Sequence, residues 1–457
     1  MFFLFERKFT KYSYFCKKYM TLKRADHQQR FDDLREQYQV FTFFKQEVYL
    51  DQGVLHMVFH FNLDDRYHFQ PTLKIPARPF FDWDGIPEEQ LQALAFQIGM
   101  TELVSYWKIA CPKRVVVKPF ALTDSQKAFW KKLYYNGLGE FLYLNGITVS
   151  ESDLMEIESI GKQGFGKVEI PLLEKTLVPV GGGKDSVVTL ECLRNEMPVV
   201  PLIVNPRGAT LNCVMTAGYK DDGFIVINRT LDPTMLQLNA EGYLNGHTPF
   251  SALLAFISIL VAFGSHSRYI ALSNENSANE STVPGTNINH QYSKSIEFEG
   301  DFRNYVAENL NDEVQYFSFL RPLSELQIAK LFSECEAYHP VFRSCNVGSK
   351  TDSWCGHCPK CLFTWIILSP FLPKEKLVAI FGKDLMADAS LQPILEELNG
   401  TAAVKPFECV GTVEEVRACM DAVEGKREEV EHILNRFNHE HFLPEKFEQI
   451  LKTRLYV

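Results

Sequence analysis

Long hydrophobic runs are missing from this chain of 457 residues. Its longest apolar run, residues 250–263, is shorter than the roughly 20 residues that a transmembrane helix requires, so we predict a buried helix there. The apolar stretch at residues 1–5 is followed at once by charged residues and is too short for the core of a secretory signal. These missing runs predict a cytoplasmic protein with no membrane partner.

An excess of basic residues is also missing. The formal net charge is −10 at pH 7, which argues against stable binding to nucleic acid. The 11 cysteines come without a secretory signal, so they do not indicate a disulfide framework. Apolar residues make up 46% and charged residues 23% of the chain, which is typical of a globular protein long enough for two or three domains.

A glycine-rich segment, residues 179–186, follows a short run with β-branched residues and opens a segment with helical character. Such a strand, turn and helix start form an anion site, because glycine allows close backbone approach and the first helical N–H groups face the ligand. A Walker loop is excluded, since Val178 replaces its first glycine and Asp185 follows Lys184. A Rossmann fingerprint is excluded too, and a glycine turn without a ligand stays open as an alternative.

The segment resembles the phosphate loop of the N-type ATP pyrophosphatases, S-G-G-x-D-S. Gly182, Gly183, Asp185 and Ser186 match that pattern, and Gly181 replaces its first serine. The resemblance implies an enzyme that cleaves ATP between the α and β phosphates and transfers AMP to an oxygen. The loop amides, Lys184 and Ser186 would then hold phosphate oxygens, and Asp185 would hold Mg²⁺ on the leaving pyrophosphate.

Four cysteines are clustered with the spacing C-x9-C-x2-C-x2-C: Cys345, Cys355, Cys358 and Cys361. The short spacings let neighbouring thiolates face one ion, and Gly356 relieves the turn between two of them. Four thiolates satisfy tetrahedral zinc, and such a closed site is structural because it leaves no position for substrate. We therefore predict zinc. An iron–sulfur cluster, reduced cysteines without metal, and His357 in place of one sulfur are the alternatives.

The order of elements predicts an α/β fold with a doubly wound parallel sheet of the adenine-nucleotide pyrophosphatase-loop type. We expect its strands at residues 176–180, 199–204, 224–228, 269–273 and 314–319. The chain then divides into a basic extension (1–25, with Met20 as an alternative start), an N-terminal α+β domain (26–165), a catalytic domain (166–372) and a mainly helical C-terminal part (373–457). A hairpin is expected around residues 51–53, with helices over 87–109 and 123–143.

Ligands of such sheets bind beyond the carboxyl ends of the strands, near a switch point. Polar segments follow the predicted strands there and supply candidate nucleotide-binding residues: Arg207, Ser273, Glu275 and Asn279. A segment at 246–248 and another at 289–294 add candidates for proton transfer: His247, His290, Tyr292 and Lys294. Solvated loops are the alternative for each segment alone.

Six motifs in this order resemble those of the UDP-N-acetyl-α-D-muramoyl-L-alanyl-L-glutamate epimerases of bacterial cell-wall synthesis. They lie at residues 181–186, 245–249, 273–279, 289–294, 355–361 and 405–412. The resemblance implies ATP- and Mg²⁺-dependent inversion at Cα of the terminal L-glutamate of UDP-MurNAc-L-Ala-L-Glu, with AMP and pyrophosphate released. It also implies a pathway shared with a muramoyl ligase that adds L-glutamate.

Adenylation gives that reaction a chemical reason. A carbanion beside a free carboxylate is disfavoured by its negative charge, and an acyl adenylate lacks that charge. A base can then remove the Cα proton, and an acid can return a proton to the other face. The N-terminal domain, which is rich in aromatic residues, is a candidate for binding the UDP end.

Two other functions stay open. One is an amidating or thiolating pyrophosphatase-loop enzyme acting on a modified base of the 7-deazaguanine type or on tRNA. The cysteine cluster favours it, but no strongly basic domain for tRNA is evident. The other is a nucleotide-binding regulator without catalysis, which would not need dense polar sets after two strands.

Overall fold

A computed structural model of the chain describes residues 24–76, 81 and 83–456. The predicted extension and Met20 therefore lie almost wholly outside the described residues. The strands are β1 (Val40–Asp51), β2 (Val54–Leu63), β3 (Tyr67–Phe69), β4 (Thr72–Pro76), β5 (Arg114–Val117), β6 (Glu156–Ser159), β7 (Leu173–Pro179), β8 (Val199–Val204), β9 (Ile225–Thr230), β10 (Ser267–Leu272) and β11 (Gln315–Ser318).

The helices are α1 (Gln28–Gln37), α2 (Glu88–Trp107), α3 (Asp124–Gly137), α4 (Gly139–Asn145), α5 (Glu151–Leu154), α6 (Lys184–Leu193), α7 (Gly208–Thr216), α8 (Pro233–Ala240), α9 (Phe250–Gly264), α10 (Ile296–Asn309), α11 (Glu325–Ser333), α12 (Pro359–Leu368), α13 (Lys374–Phe381), α14 (Gln392–Leu398), α15 (Val413–Val423), α16 (Glu428–Leu434) and α17 (Glu445–Tyr456). Among the described residues, none of these helices combines the length and apolarity that a membrane span requires.

One sheet runs through the described chain in the order β11-β10-β7-β8-β9-β4-β2-β1-β5-β6, with β3 paired to β2. Strands β7 to β11 pair in parallel. The chain adds β8 and β9 on one side of β7, then β10 and β11 on the other, so a switch point lies between β7 and β10. The expected doubly wound parallel sheet is confirmed as topology, and its pyrophosphatase-loop type stays a prediction.

The central sheet buries both of its faces. Along β7, Leu177 belongs to one hydrophobic cluster and Val178 to another, and Ile270 and Ala271 of β10 alternate in the same way. This alternation follows from the period of two along a strand. The first cluster includes the N-terminal elements and α9, and the second includes the C-terminal helices. The proposed domain boundaries stay predictions, because β4 pairs with β9 and joins the N-terminal strands to the central sheet.

Several local expectations are confirmed and three need correction. The hairpin turn at 51–53 has positive φ at Gln52 and Gly53, as its sequence suggests. The predicted helix 123–143 is two helices, α3 and α4, that meet at Leu138, whose backbone is not helical. The run of residues 67–75 predicts one strand that ends before Pro76, but the structure divides it into β3 and β4 at Gln70-Pro71. The Thr248-Pro249 pair predicts an N-cap followed by a first-turn proline, but Pro249, with a ψ of 74° outside the helical region, is itself the N-cap of α9.

Candidate active site

The glycine loop joins the end of β7 to the start of α6, at the switch point of the sheet. Gly182 has a φ of +81°, and a Cβ there would lie 2.9 Å from backbone atoms of Ala209 and Thr210. Gly181 faces open space, and Gly183 is the N-cap of α6 without a capping side chain among the described residues. The first N–H groups of α6 therefore lie beside an open loop, as an anion site requires.

Lys184 lies behind this loop. Its Nζ donates to the carboxylates of Asp185 and Glu325, and its side chain is 3% exposed. Burial opposes the charge, but the two carboxylates raise the pKa of Lys184 above its ordinary value. The lysine thus anchors Asp185, whose carboxylate keeps 32% exposure at the loop. Its own contact with phosphate stays a prediction, as does that of Ser186, whose hydroxyl donates to the carbonyl of Gly183 at 3.0 Å.

The polar segments after β8 and β10 lie at the same edge. Arg207 is exposed and is the N-cap of α7, the helix that Gly182 approaches. The Ser273 hydroxyl oxygen is buried and has no hydrogen-bond partner among the described residues. Glu275 is 4% exposed and accepts from Ser277 at 3.0 Å. Burial raises the pKa of its carboxyl; Lys294 opposes this rise, and Asp185 adds to it.

Asn279 has a different place from its neighbours. Its carboxamide oxygen accepts from the backbone N–H of Ile296 at 2.8 Å, at the first turn of α10. This contact orders the start of that helix, and the predicted role of Asn279 in nucleotide binding stays a prediction.

Two predicted proton-transfer residues meet at one carboxylate. Glu140 of α4 accepts from His290 Nδ1 at 2.6 Å, and His247 Nδ1 lies 3.5 Å from the same oxygen. The two imidazole centroids are 4.5 Å apart. Burial lowers the pKa of His247 to about 4, with the charge of His290 adding to the effect. For His290 burial also lowers the pKa, but hydrogen bonds to Cys409 and Glu140 outweigh it and raise the value to about 10.

The two histidines therefore hold opposite protonation states near pH 7. His247 is neutral, whereas His290 is charged and has a proton to donate. Neighbouring groups whose environments move their pKa values apart are a recurring arrangement for acid–base chemistry.

Lys294 connects the histidines to the glycine loop. Its Nζ donates to Cys409 Sγ at 3.1 Å. Burial lowers the pKa of Lys294, but the charges of Cys409 and Glu275 outweigh it and raise the value, so the amine stays protonated. Arg321 holds this arrangement from behind, because its buried guanidinium donates to the carbonyls of Glu275 and Lys294.

Tyr292 does not join this group. Its side chain is 6% exposed and packs against Phe298. Burial raises the pKa of its hydroxyl, with the charge of Glu297 adding to it and that of Lys132 opposing it. Those neighbours lie on the side of α3 and α10, so its predicted role in proton transfer stays a prediction that no observed contact supports.

The four clustered cysteines meet as their spacing predicted. All four sulfurs lie within 4.8 Å of one another, and the separations are 3.6 Å for Cys345–Cys358, 3.7 Å for Cys355–Cys361 and 3.5 Å for Cys358–Cys361. Tetrahedral zinc with Zn–S bonds of about 2.3 Å needs sulfurs about 3.8 Å apart. The four thiols fit such an ion. Gly356 has the expected positive φ, at +71°.

The cysteine knuckle adjoins the glycine loop. The backbone N–H of Arg343 donates to the carbonyl of Gly182 at 2.8 Å. A Cβ on Gly183 would lie 3.0 Å from the Ser344 hydroxyl. Cys345 follows directly, so the segment that supplies one thiolate also supports the phosphate loop. His357 turns its Nδ1 to the carbonyl of Cys355, at 2.7 Å.

Two protein-family models match the chain. The MurL N-terminal domain matches residues 32–319 and the MurL C-terminal domain matches residues 341–448. The chain belongs to the MurL epimerase family. In this MurL chain the glycine loop and the histidine pair lie in the N-terminal match, and the knuckle and Cys409 lie in the C-terminal match.

Three relatives are named UDP-N-acetyl-alpha-D-muramoyl-L-alanyl-L-glutamate epimerase. The protein of a Micromonospora species is 39% identical over 75% of this chain and 77% of its own length. That of Salinispora tropica is 37% identical over 75% of both chains. That of Xanthomonas oryzae pv. oryzae is 33% identical over 86% of this chain and 88% of its own. No solved structure matches the MurL chain.

Sequence reasoning missed several residues of the MurL site. Cys409 was part of a motif but had no chemical role, and Arg321, directly after the last central strand region, was not singled out. Glu140 and Glu325 lie in helices where nothing distinguishes them from surface carboxylates. Only position in the strand order could have drawn attention to Arg321.

Proposed function

We propose that this MurL protein inverts the terminal L-glutamate of UDP-MurNAc-L-Ala-L-Glu in peptidoglycan precursor synthesis, with ATP consumed to activate the carboxylate. The names of its relatives supply the substrate. One observation carries the ATP-dependent route: Lys294 donates to Cys409, next to the histidine pair, and its charge interacts with Glu275 and with Asp185 at the glycine loop. Lys294 thus links the residues proposed for phosphate binding to those proposed for proton transfer.

The residues named above have separate roles in the proposed reaction. The N–H groups at the start of α6 and the guanidinium of Arg207 bind phosphate oxygens, and Asp185 binds Mg²⁺. Transfer of AMP to the glutamyl carboxylate removes the charge that disfavours a Cα carbanion. Lys294 then stabilises negative charge that develops on the activated carboxyl group. The histidine pair takes part in the proton transfer at Cα, with His290 as the proton-donating group.

Zinc in the cysteine knuckle has a structural role in this proposal. It holds Cys345 in place, and through Ser344 and Arg343 it supports the backbone of Gly182 and Gly183. Four thiolates fill the coordination sphere, so the ion has no open position for substrate.

We place the UDP end of the substrate in a cavity of about 560 Å³ on the N-terminal strands. Its lining includes the half-exposed ring of Phe44, with Lys118 Nζ 4.6 Å from the ring centroid. The ring suits stacking with uracil, and the lysine suits a diphosphate. The cavity therefore offers an aromatic ring for the uracil base and a positive charge for the diphosphate.

The strand register connects this cavity to the glycine loop. Thr72 pairs with Thr230, the last residue of β9, and Gln70 of the cavity lies beyond that pair. The N–H of Gln70 donates to Asp232 at 2.8 Å. The cavity thus lies beyond the carboxyl end of β9, along the same edge as the loop after β7. Five strand spacings separate β7 from β1, about 24 Å in all, a span that an extended nucleotide-sugar dipeptide covers.

Phe44→Ala and Lys118→Ala are each expected to raise KM for the UDP-linked substrate about tenfold and to change kcat by less than about threefold, because the UDP end binds without entering the chemistry. Steady-state kinetics measure both constants. Lys376→Ala, an exposed lysine of α13, is the control with unchanged kinetics. An unchanged KM in both cavity variants would place the UDP end elsewhere.

In D₂O, with UDP-MurNAc-L-Ala-L-Glu, ATP and Mg²⁺, the protein is expected to form the D-glutamyl product with deuterium at Cα and one AMP and one pyrophosphate per inversion. Omitting ATP or Mg²⁺ should abolish the label, since the free carboxylate disfavours the carbanion. NMR and mass spectrometry follow label and products. Exchange without ATP contradicts adenylation, and incorporation of ammonia or sulfur would identify an amidating or thiolating enzyme instead.

A further inference from the structure

The segment 405–412 crosses the site and brings one thiol into it. Lys405 is paired with Glu280, and its Nζ donates to the carbonyl of Gly411 at 2.9 Å. The ring of Phe407 packs on Tyr143 of α4, with centroids 5.5 Å apart. These contacts hold both ends of the segment against the cleft, with Cys409 between them and partly exposed.

Cations surround the Cys409 thiol. Its sulfur accepts from Lys294 Nζ at 3.1 Å, and the positive charge of His290 also acts on it. Lys360 adds a further positive charge, whereas the negative groups that face the sulfur are Glu275 and Glu408. Burial raises the pKa of the thiol, but Lys294, Lys360 and His290 outweigh burial and hold it well below its ordinary value. Cys409 is therefore a thiolate near neutral pH.

The protonation states around the cleft leave few bases. His290 and Lys294 both carry protons, so neither accepts one from the substrate. Tyr292 faces away and keeps its proton. Among the described imidazole, amine, phenol and thiol groups of this cluster, His247 and Cys409 are in their basic form, beside the carboxylate of Glu140 that already accepts from His290. The thiolate is held beside Lys294.

We propose that Cys409 is a catalytic residue that exchanges a proton with Cα of the terminal glutamyl residue, an inference that rests on the proposed function. The thiolate removes the Cα proton, so an S–H bond forms, the C–H bond breaks, and the electron pair moves into the activated carboxyl group. The histidine pair delivers a proton to the opposite face of Cα. The thiol then loses its proton, and the histidine pair regains one, by exchange with solvent.

The thiolate is tested without any substrate. On the full-length protein at about pH 6, iodoacetamide should alkylate Cys409 at least about tenfold faster than Cys335, another partly exposed cysteine. Lys294→Met should raise the pH at which alkylation of Cys409 reaches half its maximal rate by about one unit or more, because below that midpoint one pKa unit changes the thiolate fraction tenfold. Peptide mass spectrometry measures the extent of alkylation at Cys409 and at Cys335. A Cys409 that reacts no faster than Cys335, or a pH midpoint that Lys294→Met leaves unchanged, would refute the thiolate.

The proton transfer is tested with Cys409→Ser and Cys409→Ala. Both should keep ATP–pyrophosphate exchange within about threefold of the wild type and lose Cα deuterium exchange by at least about a hundredfold, since adenylation precedes proton transfer. Cys335→Ser should change neither rate. Inversion by Cys409→Ala at the wild-type rate overturns the proposal, and so does an acyl–sulfur adduct on Cys409 in acid-quenched wild-type enzyme, which would make it a nucleophile.

The two experiments distinguish a failure of the proposed function from a failure of the role of Cys409. Wild-type protein without ATP-dependent exchange at Cα refutes the proposed function and, with it, the role of Cys409. Wild-type exchange that survives in Cys409→Ala refutes the role of the thiol alone.

Discussion

Asp185→Asn is expected to lower ATP-dependent pyrophosphate release by at least about a thousandfold. Its carboxylate is partly exposed at the start of α6 and is held there by Lys184. Asparagine keeps the shape of the side chain but removes the negative charge that binds Mg²⁺ on the leaving pyrophosphate. A coupled assay for pyrophosphate at saturating ATP and Mg²⁺ measures the loss.

Glu196→Gln is the matched control, because it removes the same charge from an exposed residue just beyond the far end of α6. It should leave pyrophosphate release unchanged. Circular dichroism should give the same spectrum for both variants and the wild type. Turnover of Asp185→Asn near the wild-type rate would remove the phosphate loop from the proposal.

Cys361→Ser is expected to release the metal and to lower the melting temperature by roughly 5 °C or more. The wild-type protein should contain about one zinc per chain, as four thiolates within bonding geometry predict. The serine oxygen is a poor replacement for a thiolate ligand, and Cys361 is fully buried in the knuckle. Elemental analysis and differential scanning fluorimetry measure the two effects.

His357→Ala separates the possible ligand sets. Its ring contacts the carbonyl of Cys355, so this variant should keep its zinc. Loss of zinc from His357→Ala would show that the imidazole replaces a sulfur, and iron in the wild-type protein would indicate an iron–sulfur cluster. A metal-free wild-type preparation that is active and protected from oxidation would refute the site.

Metal loss should also weaken ATP binding. Cys345 lies next to Ser344 and Arg343, which support the backbone of the glycine loop. A displaced loop would turn its N–H groups away from the phosphates, so Cys361→Ser should raise KM for ATP as well as lower stability.

Local patterns in the sequence determined much of this protein. The five central strands and the glycine loop were predicted, and the structure contains them. The spacing of Thr412 and Glu415 likewise predicts a capping box, which is present at the start of α15. The spacing of Cys355, Cys358 and Cys361 predicted most of the cysteine cluster, because two-residue gaps bring thiols together, whereas Cys345 joins them from across a nine-residue gap. Such features depend on residues within a few positions of one another in the chain, so they can be predicted from the sequence without knowledge of the fold.

The chemistry of the site was decided by the tertiary structure. Lys294 and Cys409 are 115 residues apart in the chain, and His290 and Glu140 are 150 apart. No periodicity or spacing relates residues at such separations, since only the packing of β10, α4 and the segment 405–412 brings them together. The pKa values of the two histidines then move in opposite directions, because they respond to burial and to charges within a few ångströms. The sequence shows that imidazole and thiol side chains are present, and only the fold determines which of these groups carries a proton.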